Sequence, residues 1–128
     1  MANDKKRVLL LVEDNAVLAS MYKAAFEQIE SIEVIFAHDG DSAIKLAAAS
    51  KPDLMLLDIL MPGIDGMTVL KTIRDIPEIK DLKIVILTVL ANAEIKEQAV
   101  RLGVLDYVVK SDLKLSEIVE KVKKYLGI

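Results

Sequence analysis

Short apolar runs alternate with segments of helical spacing along the whole chain. Val8-Leu9-Leu10-Leu11-Val12, Leu54-Met55-Leu56-Leu57, Ile84-Val85-Ile86-Leu87 and Tyr107-Val108-Val109 contain no charged residue, and Ile32-Glu33-Val34-Ile35-Phe36 is a weaker fifth run. Apolar runs of this length without alternation suit strands covered on both faces, as in a parallel sheet between helices. The intervals carry steps of three and four. Val17, Leu18, Met21, Tyr22, Ala25 and Ile29 make the first helical face, after the capping candidates Asp14 and Asn15. Ala43, Ile44, Ala47 and Ala48 make the second, stopped by Lys51-Pro52. Met67, Leu70 and Ile73 make the third. Ile95, Ala99 and Leu102 make the fourth, closed by Gly103 as a left-handed C′ residue. Leu115, Ile118, Val119, Val122 and Leu126 make the fifth. The expected fold is α/β, a fivefold (βα) repeat wound on both faces of one parallel five-stranded sheet.

Composition narrows the chemistry. The 128 residues suit one domain, residues 1–128, with no room for an output domain. There is no cysteine and one histidine, which excludes thiolate metal sites, disulfides and paired-histidine centres. A net charge of −3 argues against direct nucleic-acid binding. No apolar run reaches the roughly 20 residues of a membrane span, and no signal peptide is evident, so the expected location is cytoplasmic.

Ligands of an open parallel sheet bind beyond the carboxyl ends of its strands. At that edge the first strand offers Glu13-Asp14, the third Asp58, the fourth Thr88 and the fifth Lys110. Taken singly, these are ordinary: an acidic N-cap, a strand-end threonine, a solvated lysine. Asp58 is harder to dismiss, because it closes a run buried on both faces. Three carboxylates in one cleft repel each other, and a hard divalent cation such as Mg²⁺ removes that penalty. With Lys110 and the Thr88 hydroxyl beside it, such a site would stabilise a phosphoryl group in transfer, with Asp58 as the nucleophile.

These residues, with Asp58-Ile59-Leu60-Met61-Pro62-Gly63-Ile64-Asp65-Gly66 and Asp106-Tyr107-Val108-Val109-Lys110, resemble the receiver domain of two-component response regulators over essentially the whole chain. The resemblance implies strand order 2-1-3-4-5. It implies that Asp58 is the phosphoacceptor, in a domain that catalyses its own phosphorylation and dephosphorylation without being a turnover enzyme. Glu13, Asp14, Asp58 and the Leu60 backbone carbonyl would hold Mg²⁺, with Mn²⁺ as a substitute. Thr88 would be the switch hydroxyl, Lys110 the partner of the phosphoryl group or of Asp58, and Tyr107 the aromatic that turns inward on activation. The implied partners are a histidine kinase or phosphotransfer protein, and a downstream protein on the face of the fourth helix, fifth strand and fifth helix. The implied state is a monomer or a phosphorylation-dependent homodimer. The Pro62-Gly63 turn and Gly66 are expected to shape the loop beside Asp58, and His38 to lie on the surface.

Three positions depart from the family pattern. Ser111 replaces the usual proline after the lysine, and the expectation is a cis Lys110–Ser111 bond that keeps Lys110 pointing inward. Val89 replaces a small residue after Thr88 and would narrow access for small phosphodonors. Leu60 and Leu90 cannot orient an attacking water, which implies a long-lived phosphorylated state. Competing readings are a degenerate receiver acting as a phosphorylation-independent adaptor, and the receiver part of a longer DNA-binding regulator. A flavin-binding flavodoxin is disfavoured by Glu13-Asp14 and the absence of tryptophan. An aspartate phosphohydrolase would want a second aspartate where Leu60 stands.

Overall fold

Leu9 and Leu11 point to one side of the first strand, and Leu10 and Val12 to the other, each pair into its own core. That double burial is why the strand reads as unbroken leucine and valine. In the computed structural model, which describes residues 5–128, the strands are β1 (Arg7–Val12), β2 (Ile32–Ala37), β3 (Leu54–Leu57), β4 (Ile84–Thr88) and β5 (Asp106–Val109). They form one parallel sheet in the order β2-β1-β3-β4-β5. The helices are α1 (Ala16–Glu27), α2 (Gly40–Ser50), α3 (Gly66–Arg74), α4 (Ala93–Arg101) and α5 (Leu115–Leu126). Side chains of α2, α3 and α4 fill the core on one face; those of α1 and α5 fill the other. Among the described residues, no helix is long and apolar enough to cross a membrane.

Helix boundaries follow from side-chain caps. Asn15, Asp39, Asp65 and Asn92 each accept a hydrogen bond from the backbone N–H three residues on, opening α1 to α4. Asn15, not Asp14, caps α1, which leaves the Asp14 carboxylate uncommitted to the helix. Gly103 has φ +80°, as expected of a C′ glycine after α4.

The first helical face differs from expectation. Ala19, Tyr22 and Phe26 are the buried residues of α1, whereas Val17 and Met21 are 72% and 49% exposed. Apolar residues nearly encircle this helix, and only one stripe can meet the sheet, so the other stripe is left to solvent. Strand β2 reads weakly because it is the sheet edge: Val34, Ile35 and Phe36 are only half-buried.

One polar cluster ties α5 to β5. Asp106 Oδ2 accepts from the Tyr125 hydroxyl at 2.6 Å and the Lys121 ammonium at 3.2 Å, while its Oδ1 accepts from the Tyr107 N–H at 2.9 Å. Burial works to raise the Asp106 pKa, but these donors outweigh it and hold it below the usual aspartate value. Partial burial and the Asp106 carboxylate push Tyr125 up to about 12. The folded state therefore keeps the phenolic proton that an unfolded tyrosine releases near 10.0. The stabilisation is complete below that pH and is lost as pH rises from about 10 to about 12. Denaturation at intervals through this window should show a steeper alkaline loss for wild type than for Tyr125→Phe. Parallel slopes would disprove the linkage.

Candidate functional site

Strand register builds the site. Val12 is the register partner of Leu57, so Glu13 and Asp58 leave the sheet side by side, and the Asp58 N–H donates to the Val12 carbonyl at 3.3 Å. Leu57 pairs with Ile86 and Thr88 with Val109, which brings the end of β4 and Lys110 to the same edge. Glu13, Asp58 and Thr88 are polar residues buried as a whole among those described, at 2%, 5% and 0% exposure. Buried charges require partners, and here they find them in one another and in Lys110.

The Lys110 ammonium, itself almost fully buried, pairs with Glu13 Oε1 and, at 3.1 Å, with Asp58 Oδ2. Burial alone would lower the lysine pKa; the hydrogen bond and charge of Glu13, together with Asp58, reverse this and hold it above the ordinary value. Burial raises the Glu13 pKa, with Lys110 and the Asn15 N–H pulling the other way. The remaining carboxylate oxygens are also engaged: Glu13 Oε2 accepts from the Asn15 N–H at 3.1 Å, and Asp58 Oδ1 accepts from the Leu60 N–H at 3.1 Å. Lys110 is thus the counter-ion of a carboxylate pair that would otherwise be uncompensated.

A carboxylate oxygen from each of Glu13, Asp14 and Asp58 lies within 4.8 Å of the others. Two of these residues are buried and Asp14 is exposed, so the cluster is anchored on one side and open on the other. An all-oxygen set of this kind fits a hard divalent cation that keeps several waters. Leu60 stands two residues after Asp58, at the position where the resemblance implies a carbonyl ligand.

The expected cis Lys110–Ser111 bond is absent; every peptide bond among the described residues is trans. Strand β5 ends in extended backbone at Val109, and Lys110–Asp112 turn at once into a 3₁₀ helix. That geometry delivers the ammonium to Asp58 without a cis bond, which for a non-proline residue costs about 2.5–4 kcal/mol.

Thr88 and Tyr107 converge on Leu90. The Leu90 N–H donates to Thr88 Oγ1 at 3.2 Å, and the Tyr107 hydroxyl donates to the Leu90 carbonyl at 2.6 Å. The Tyr107 ring is buried. His38 is exposed, as expected, tilted against Phe36 with ring centroids 5.9 Å apart. The turn after Asp58 closes through Ile59, whose carbonyl accepts from the N–H groups of Met61 and Gly66. Gly63 takes φ +79° in this turn. Gly66 has a different reason to be glycine. A Cβ there would lie 2.2 Å from the Asp58 carbonyl oxygen, so the backbone of α3 packs directly on the backbone of Asp58.

Two contributors escape sequence reading. Asn15 sits in the chain as a simple cap, yet its N–H orients Glu13. Arg74 carries no mark in the sequence pattern, yet its guanidinium donates to the carbonyls of Leu102, Lys80, Leu82 and Gly103. Such long-range carbonyl contacts leave no trace in local pattern.

The response regulator receiver domain family matches residues 9–123. The chain is 33% identical over 102 residues to the response regulator PleD of Caulobacter vibrioides, covering 80% of this chain but only 22% of PleD, so it spans about a fifth of that relative. It is 30% identical to the sporulation initiation phosphotransferase F of Bacillus subtilis across 100% of this chain and 98% of that protein. The crystal structure of the phosphorylated cyanobacterial phytochrome response regulator RcpA superposes with a TM-score of 0.82 at 30% identity, covering 94% of each chain. With the parallel 2-1-3-4-5 sheet and five acidic, hydroxyl and amine groups gathered at its carboxyl edge, the chain belongs to the response regulator receiver domain family of two-component systems.

Proposed function

We propose that this domain accepts a phosphoryl group on Asp58 from a phosphohistidine of a histidine kinase or phosphotransfer protein. The observation that carries this reading is the buried Asp58 carboxylate, flanked by Glu13 and Asp14 and held by Lys110. An Asp58 oxygen attacks phosphorus, the N–P bond breaks, and the imidazole leaves with the bonding pair. Lys110 supplies positive charge to the transferring phosphoryl oxygens, and the Thr88 hydroxyl is the donor able to turn toward them. Glu13, Asp14 and Asp58 would hold Mg²⁺, which, when bound, neutralises charge shared between the acidic cluster and the phosphoryl group.

The surroundings of the cleft favour a protein donor. Val17 and Met21 on α1, Leu60 after Asp58 and Val89 after Thr88 are four of the seven large apolar residues exposed among those described. An acidic centre with apolar side chains around it matches a protein surface that presents one charged group amid apolar neighbours. A separate groove of about 430 Å³ lies between α1 and the end of β2, lined in part by Asp14, Ser20, Lys23 and Phe36. Phosphoryl transfer can be followed by intact mass from a phosphorylated histidine kinase and from acetyl phosphate, each with Mg²⁺ or with the metal chelated. Both reactions should require the metal. The double variant Val17→Glu, Met21→Glu should slow transfer from the protein about tenfold or more while leaving acetyl phosphate within twofold. Equal slowing of both donors would refute the docking role, and metal-independent labelling would refute the site.

Hydrolysis of the phosphorylated form should be slow. Leu60 and Leu90, two residues beyond Asp58 and Thr88, have no polar atom with which to orient a water. Leu60→Asn should shorten the lifetime several-fold, and a wild-type half-life of seconds would contradict this assignment.

A further inference from the structure

Helix α4 is held very differently at its two ends. Ala99 is its single fully buried residue, and Ile95 is half-buried. The approach to its N-terminus, residues 89–92, is tied down by the two bonds on Leu90, from Tyr107 and to Thr88. The C-terminal turn is bolted. Arg74 Nε donates to the Leu102 carbonyl at 2.6 Å and Nη2 to the Gly103 carbonyl at 3.3 Å. Its Nη1 donates to the carbonyls of Lys80 and Leu82, both at 2.8 Å. One planar cation thereby joins the end of α3, the connection into β4 and the end of α4. No carboxylate is in salt-bridge contact with it among the described residues, although the Asp81 charge lies near enough to act on it. A lysine ammonium has the charge but not the rigid fork that reaches four carbonyls.

We propose that Arg74 is a positioning residue that makes the C-terminal end of α4 a fixed pivot, so that a displacement starting at Thr88 swings residues 90–95 and leaves Leu102 and Gly103 in place. The coupling to Thr88 rests on the phosphoacceptor reading above; the anchoring by Arg74 does not.

Amide hydrogen exchange on the full chain without metal or phosphodonor tests the anchor by itself. In the wild type, the N–H groups of Leu102, Gly103 and Val104, which bond to carbonyls of α4, should exchange at least tenfold more slowly than those of Lys96 and Glu97. Arg74→Gln should erase that gradient while core amides such as Leu10 and Met55 stay within twofold. Arg74→Lys should fail to restore it. An unchanged gradient in Arg74→Gln, or full rescue by Arg74→Lys, would overturn the clamp, the second by showing that charge alone suffices. If Arg74→Gln does not fold, Arg74→Lys carries the test alone, with loss of the gradient expected.

Amide chemical shifts with Mg²⁺ and beryllium trifluoride test the lever. Shifts should be largest at residues 90–95 and near zero at Leu102 and Gly103, and in Arg74→Gln they should spread to the C-terminal turn. Equal shifts along all of α4 in the wild type would overturn the pivot. A wild type silent at Leu60 and Thr88 would instead refute the phosphoacceptor reading, with the exchange gradient still deciding the anchor.

Discussion

In Asp58→Asn, phosphoryl incorporation is expected to fall more than roughly a thousandfold, in line with removal of a nucleophile. The substitution is nearly isosteric. The amide oxygen can still accept the Leu60 N–H that now bonds Oδ1, and Lys110 keeps its pair with Glu13. What disappears is the anionic oxygen that attacks phosphorus and one of three carboxylates of the cation cluster. Folding should survive, because the remaining carboxylate still compensates the buried lysine and like-charge repulsion in the cleft is reduced. Lys110→Ala would be a harsher change, leaving Glu13 and Asp58 buried without their counter-ion. Intact mass after incubation with a phosphodonor and Mg²⁺ measures the effect, and hydroxylamine sensitivity distinguishes an acyl phosphate from a phosphoester. Incorporation into Asp58→Asn at the wild-type level would remove Asp58 from the mechanism.

The second large effect is steric. In Gly66→Ala the new Cβ would meet the Asp58 carbonyl oxygen at 2.2 Å and the Ile59 Cα at 2.7 Å. Both are backbone atoms, so no rotamer can relieve the collision, and α3 must move away from the loop that carries Asp58. Overpacking of this kind costs about 3 kcal/mol, corresponding to a melting temperature lower by roughly 10 °C for a domain of this size. The same shift should pull Asp58 out of line with Lys110 and slow phosphorylation in the fraction that remains folded. Gly63→Ala is the natural comparison. Its position has open space but φ +79°, so only the left-handed backbone penalty of about 1–2 kcal/mol applies. A Gly66→Ala protein melting within about 2 °C of wild type would show that the loop yields more easily than the packing implies.

How much was legible in the chain depended on what kind of interaction each residue makes. Strands β1, β3 and β4 are buried on both faces, so their apolar runs are continuous and unambiguous. Edge strand β2 is half solvated, and its pattern is correspondingly weak. The four strand-end positions carrying Glu13-Asp14, Asp58, Thr88 and Lys110 could be read because a parallel sheet sends every strand's carboxyl end to one edge. Which side of α1 faces inward could not be read, because apolar residues surround that helix. Nor could the cap be chosen between Asp14 and Asn15, as both side chains are competent acceptors. The geometry at Ser111 went against expectation, since the 3₁₀ turn of Lys110–Asp112 offered a trans route for the lysine.

By itself the sequence determined the fold class, the set of groups available for chemistry and the edge on which they meet. Each of these follows from local periodicity and from elements that repeat in a regular order. Only the tertiary structure decided that Lys110 bridges Glu13 as well as Asp58, that Gly66 is glycine because two backbones touch, and that Arg74 joins three segments through carbonyl oxygens. The physical reason is common to all three. They are contacts made with backbone atoms or through a shared ion, between residues that do not share one helix or strand, and neither kind imposes a period on the sequence.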